Sequence, residues 1–142
     1  MDHVAILKSG PLDKILSGEK TIESRWLVHK SAPFGKVNGG DVLYLKRTGG
    51  KVEARVTVHG VKQFENLTLE VARTIIKRYG PSIKLNNTNF RQWWNPKKKY
   101  CCLIFLKNVE RLAPFDIDKT GFGNMAAWLV LPRGIGAIAQ KP

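Results

Sequence analysis

The chain has 142 residues, of which 24 are Lys or Arg and 11 are Asp or Glu, giving a formal charge of +13. At 43% hydrophobic residues it has enough apolar material for one folded domain and too much for a disordered basic tail. No apolar run reaches the roughly 18 residues of a membrane span, and the opening MDHVAILKSG lacks the order of a secretory signal, which excludes membrane-spanning, secreted disulfide-scaffold and multidomain classes.

His3 to Lys8 reads as a short strand, and Ser9-Gly10-Pro11 opens a helix, with Ser9 or Gly10 as its cap. Leu12, Ile15 and Leu16 form the apolar stripe of that helix, and Gly18 stops it. Thr21 to Trp26 is a second strand, and residues 29–40 form a loop. Asp41 to Thr48 and Lys51 to Phe64 make a hairpin across Gly49-Gly50. In its second arm Val52, Ala54, Val56 and Val58 alternate with polar residues, the pattern of a half-buried strand.

Asn66 caps a second helix over Leu67 to Tyr79, which Gly80-Pro81 ends. Residues 82–98 form an irregular or short-helical insert. Lys99 to Leu112 is a long strand, apolar on both faces near its start and hence central. A last strand falls around Trp128 to Leu131. This order predicts a single α+β domain over 1–142, a small mixed sheet curled toward a barrel and flanked by helices.

The only cysteines, Cys101 and Cys102, are adjacent within an apolar run and read as buried free thiols. His3, His29 and His59 share no ligand spacing. No metal site or other cofactor is expected, and reduced cysteines without a signal point to the cytoplasm.

The surplus charge makes a polyanion the expected partner, against the alternative of a basic protein without one. From Val71 to Val109 there is no acidic residue, whereas Arg73, Lys77, Arg78, Lys84, Arg91, Lys97, Lys98, Lys99 and Lys107 fall there. Phe90, Trp93 and Trp94 are interleaved with these cations. Aromatic residues among cations suit single-stranded nucleic acid, whose bases stack while its phosphates pair; the alternative is that the Trp pair anchors the insert to the core.

The densest signal is Gly18-Glu19-Lys20-Thr21-Ile22-Glu23-Ser24-Arg25-Trp26. In an extended segment Thr21, Glu23 and Arg25 share one face, and Ile22, Ser24 and Trp26 the other. Neither face is purely apolar, so Glu23 and Arg25 face a cleft or form an exposed pair. Lys20, Glu23 and Arg25 at one mouth can bind phosphate and base edges, or serve acid–base chemistry.

The pattern GxKxxExR, here Gly18, Lys20, Glu23 and Arg25, resembles the signature of the ASCH domain, a branch of the PUA-like superfamily. The resemblance extends over nearly the whole chain, to a bacterial and archaeal subgroup. It includes Gly40-Asp41 before a strand, Tyr44-x-Lys46 within it, Lys99-Tyr100-Cys101, and the segment from Lys119 through Gly121-Phe122-Gly123-Asn124 to Trp128. It implies a pseudo-barrel with packed helices, a cleft lined by the GxKxxExR residues, and RNA or nucleic-acid binding. It also implies a hydrolase alternative, as a ribonuclease or an N4-acetylcytidine amidohydrolase. In the amidohydrolases a Thr nucleophile stands where this chain has Glu23; Thr21 shares that strand face, whereas Ser24 points to the other.

The residues expected to contact nucleic acid are therefore Lys8, Lys20, Glu23, Arg25, Trp26, Lys46, Arg78, Arg91, Trp93, Lys97, Lys98, Lys119, Asn124 and Trp128. If the chain is an enzyme, Lys20, Glu23 and Thr21 are the catalytic candidates. RNA is the expected partner, with DNA possible and no membrane role. A third reading is a transcription-associated interaction module, whose mark would be an exposed apolar patch.

Overall fold

The computed structural model describes residues 1–123 and 125–140. Six strands form one sheet: β1 (Asp2–Leu7), β2 (Ile22–Leu27), β3 (Val42–Arg47), β4 (Val52–Phe64), β5 (Tyr100–Phe115) and β6 (Trp128–Leu131). The order is β2-β5-β4-β3-β1-β6. Only the β1–β3 pairing is parallel. The helices are α1 (Ser9–Leu16), α2 (Leu69–Ile83) and α3 (Asn87–Trp93), with a 3-10 turn at Ile135–Ala137. This is the α+β architecture of a curled mixed sheet with flanking helices, and β5 lies inside the sheet as its apolar faces predict.

The sheet curls because β4 and β5 are long and bulged. Their register shifts between Val52 and Ala54, between Arg55 and Thr57, and between Val58 and Gly60. A bulge bends its strand and increases the local twist. Asn108, opposite the second shift, takes a φ of 55°.

Apolar residues divide among three packed groups. One fills the curl, with Ala5, Leu7, Leu43, Leu45, Val56 and Ile104 closed off by Leu12 and Ile15 of α1. A second lies under α2 and α3, where Ile22, Trp26, Cys101 and Leu103 meet Ala72, Ile75, Ile76, Ile83 and Phe90. The third holds Val4, Tyr44, Leu129 and Leu131 beneath the C-terminal segment. Burial pushes the Cys102 thiol up to about 12, in keeping with an inert free cysteine.

Three helix boundaries differ from the sequence reading. The first helix begins at Ser9 itself, with Lys8 in the cap position and no side-chain cap. The second starts later, capped by Thr68, whose hydroxyl accepts from Val71 N–H at 3.2 Å, rather than by Asn66. It also runs through Gly80-Pro81 to Ile83. Tertiary contacts outweigh the breaker: Ile83 is buried in the second group. The last carbonyls are satisfied from outside the helix, Ser82 O by Thr21 N–H at 3.0 Å and Ile83 O by the Lys20 ammonium at 2.7 Å. A cation at a helix C-terminus is also favoured by the helix dipole.

Candidate functional site

The curl leaves a seam. Within the sheet β2 pairs only with β5, and β6 pairs only with β1, so their free edges face across a gap. Ile22 and Trp26 turn outward beneath α2 and α3, which sends Glu23 and Arg25 to the seam by strand alternation. The Arg25 guanidinium donates to Ile6 O of β1 and to Ala127 O, just before β6, both at 3.2 Å. It also lies 5.2 Å from the centre of the Trp128 ring. Arg25 thus fastens the two edges of the sheet together.

Glu23 is 5% exposed and fully engaged. One carboxylate oxygen accepts from Ser24 N–H at 3.0 Å and faces Lys20 Nζ at 3.4 Å; the other meets Arg25 at 3.3 Å. Lys20, 6% exposed, is therefore fixed between a helix terminus and a carboxylate. The exposed-pair alternative does not hold, since this is a buried charge network with one net positive charge. The Thr21 hydroxyl is exposed and makes no hydrogen bond to Lys20 or Glu23.

The network continues inward from Arg25. Trp128 Nε1–H donates to His3 Nδ1 at 3.1 Å, and His3 Nε2 pairs with Asp41 at 2.9 Å. An indole can only donate, so Nδ1 accepts and Nε2 carries the hydrogen given to Asp41. Burial pushes the Asp41 carboxyl up, but the hydrogen bonds from His3 and from Asn38 N–H outweigh it and hold the group below its ordinary value. His3 carries no signal in the sequence beyond being a histidine in a strand. Its role depends on β6 lying beside β1, which brings Trp128 to it.

The remaining candidates divide by position. Trp26 and Trp128 are packed rather than open to a stacked base, correcting that expectation: Trp26 meets Phe90 and Trp93, and its Nε1–H is given to Ser24 Oγ at 3.0 Å. Trp93 and Trp94 pack on Phe90, so the pair anchors the insert to the core. Lys98 Nζ lies over Trp93 and donates to Trp26 O at 2.9 Å, with its pKa lowered by burial. Lys97 and Lys8 are exposed, and Arg78 lies over Tyr79.

Lys46 is half-buried and donates to Arg47 O; burial first, then the Lys119 charge, lower its pKa. Lys119 lines a separate shallow hollow of about 560 Å³ with Asp118, Thr120, Gly121 and Gly123. Asn124 lies outside the described residues. Among the described residues no group of three or more His, Cys, Asp or Glu side chains could hold a metal ion. No helix among them is long and apolar enough to cross a membrane.

Arg91 leads to a feature that the sequence locates only coarsely. Three cavities adjoin along α2 and α3. The first, about 360 Å³, is lined by Arg73, Thr74, Lys77, Phe90 and Arg91. The second, about 420 Å³, shares Lys77 with it and adds Lys14, Gly80, Lys84, Leu85 and Asn89 among others. The third, about 120 Å³, shares Lys14, Lys84 and Leu85 with the second and ends on Lys20 and Ser24. Together they form a groove lined by Lys14, Lys20, Arg73, Lys77, Lys84 and Arg91 and by no carboxylate. The acid-free run 71–109 signals part of this, but Lys14 comes from α1, which only the fold brings alongside.

No protein-family model matches the sequence, and no curated protein matches it. Solved structures do match. The ASCH protein from Zymomonas mobilis superposes with a TM-score of 0.69 at 17% identity, covering 93% of this chain and 88% of that one. A serine-to-alanine variant of it gives a TM-score of 0.71, also at 17% identity, with 93% and 89% covered. A hypothetical protein gives a TM-score of 0.53 at 17% identity, covering 79% of this chain and all of the other. At such identity the likeness establishes the fold alone: this chain has the fold of the Zymomonas mobilis ASCH protein.

Proposed function

We propose that this protein binds RNA, holding the phosphate backbone in the groove along α2 and α3 and bringing one nucleotide to the end of the groove at Lys20. One observation carries this reading: six cations line three adjoining cavities in which no carboxylate appears. A concave surface of one sign focuses the field and favours a polyanion threaded along it. The groove also offers hydroxyl and amide groups, from Ser24, Thr74 and Asn89, for sugar and base edges.

The contacts of Lys20, Glu23 and Arg25 support binding over acid–base catalysis. Both Glu23 oxygens already accept hydrogen bonds or face a cation. The Lys20 ammonium is already engaged by Ile83 O at 2.7 Å and by Glu23 at 3.4 Å. Arg25 is engaged by two carbonyls. Lys20 lines the cavity at the end of the groove.

The direct test compares binding of transfer RNA and of duplex DNA of matched length across a salt series. The expected result is tighter binding of RNA and a steep loss of affinity as salt rises, because bound phosphates release counterions. Binding of neither, or binding indifferent to salt, would overturn the reading. Equal binding of both would reduce it to nucleic acid in general.

A further inference from the structure

The groove stops at β2, and the cavity where it stops is built differently from the rest. We propose that this terminal cavity, where Lys14, Lys20, Ser24 and Lys84 converge, is a phosphate pocket that takes the end phosphate of a nucleic-acid strand lying in the groove. The proposal rests on the nucleic-acid reading above and adds to it a preference for strand ends.

Backbone hydrogen bonds place each of the three lysines. Lys20 N–H donates to Lys14 O at 3.0 Å, which ties the end of α1 to the start of β2. Lys84 sits just after α2 with a φ of 68°, and its N–H donates to Gly80 O at 2.7 Å. A side chain on Gly80 would collide with Leu85 O, so the turn that presents Lys84 requires a glycine there. The backbone that presents each lysine is therefore fixed.

Donors remain for an anion. The Lys20 ammonium has three hydrogens; one goes to Ile83 O and one faces Glu23, which leaves one. Ser24 Oγ accepts the Trp26 indole hydrogen, so its own hydrogen is still available to donate. The charge also fits. Lys20, Glu23 and Arg25 together leave one positive charge, to which the exposed Lys14 and Lys84 add two more.

Size and closure favour an end over a passing diester. The cavity holds about 120 Å³ against about 420 Å³ for its neighbour, and α1 and β2 supply its far wall through Pro11 and Ser24. A strand cannot continue through β2. A terminal phosphate monoester also carries about −1.5 to −2 charge at neutral pH, more than an internal diester, and gains more from three ammonium groups.

The test measures fluorescence anisotropy of one short single-stranded RNA in three forms: 5′-phosphate, 3′-phosphate and hydroxyl at both ends. One phosphorylated form is expected to bind about tenfold more tightly than the hydroxyl form, a difference of about 1.4 kcal/mol. The double variant Lys14→Ser, Lys84→Ser, which alters only exposed side chains, is expected to erase that difference and, because both lysines also line the groove, to weaken all three strands alike. If all three RNAs bind equally, the end-phosphate pocket is wrong and the nucleic-acid reading stands. If none binds, both fail. If a nucleoside monophosphate binds as tightly as the phosphorylated strand, the pocket serves a free nucleotide and the strand-end proposal is overturned.

Discussion

At the scale of single residues, the GxKxxExR side chains divide between holding the sheet and lining the groove in a way the linear pattern does not show. Glu23 and Arg25 hold the curled sheet closed, and Lys20 both caps α2 and lines the groove. Replacing Arg25 by Leu would remove two carbonyl hydrogen bonds and leave Glu23 buried with one cation fewer. The expected cost is about 3 kcal/mol, read from urea unfolding with spectroscopic detection. Asp41 gives a second prediction. Its folded pKa is depressed, so the stability it contributes is present above the unfolded value of about 3.9 and is lost as pH falls through the lower folded value. The urea midpoint should therefore fall in acid, and Asp41→Asn should lower it at neutral pH while flattening its decline at low pH. The motif is legible in the sequence, and so is the strand face shared by Glu23 and Arg25. The two carbonyls that occupy Arg25 are not, because they come from β1 and the approach to β6, about 20 and 100 residues away along the chain.

At the scale of elements, strands read well and helix ends less well. The Gly49-Gly50 turn and the alternation from Val52 to Val58 locate the hairpin within a residue or two. The last strand falls on Trp128 to Leu131 as expected. The second helix departs from its local signals at both ends for physical reasons. Thr68 caps in place of Asn66, which instead takes a φ of 52° before the helix. Gly80-Pro81 fails to stop it because Thr21 and Lys20 satisfy its last carbonyls and Ile83 is buried. Local breaker signals lose when partners distant in sequence supply what the helix end lacks. Gly80→Ala should then be costly despite the higher helix propensity of alanine, since the added methyl meets Leu85 O. A loss of about 1–3 kcal/mol is expected from thermal or urea unfolding. A gain in stability would show that the Gly80–Leu85 approach does not constrain the turn.

At the scale of the whole molecule, the ASCH fold leaves the helix-bearing face of β2 and β5 carrying the acid-free groove. The net charge of +13 predicts a polyanion partner without saying where it would lie. The proposed location depends on α1, α2 and α3 converging, and it shifts emphasis from the Trp residues, which pack inside, to Lys14, Arg73, Lys77, Lys84 and Arg91. Because the surplus is spread around the molecule, general charge could bind nucleic acid without any groove. The most direct measurement separates the two by the salt dependence of affinity for single-stranded RNA. It compares the unaltered protein with the groove variant Arg73→Gln, Lys77→Gln, Arg91→Gln and with a control of equal charge, Lys36→Gln, Lys51→Gln, Arg133→Gln, none of which lines the groove. If the groove holds the strand, the slope of log affinity against log salt is expected to fall by about 2 in the groove variant, which loses three groove cations, and to stay near the parent value in the control. Equal changes in the two variants would contradict a groove-bound strand and leave only diffuse attraction.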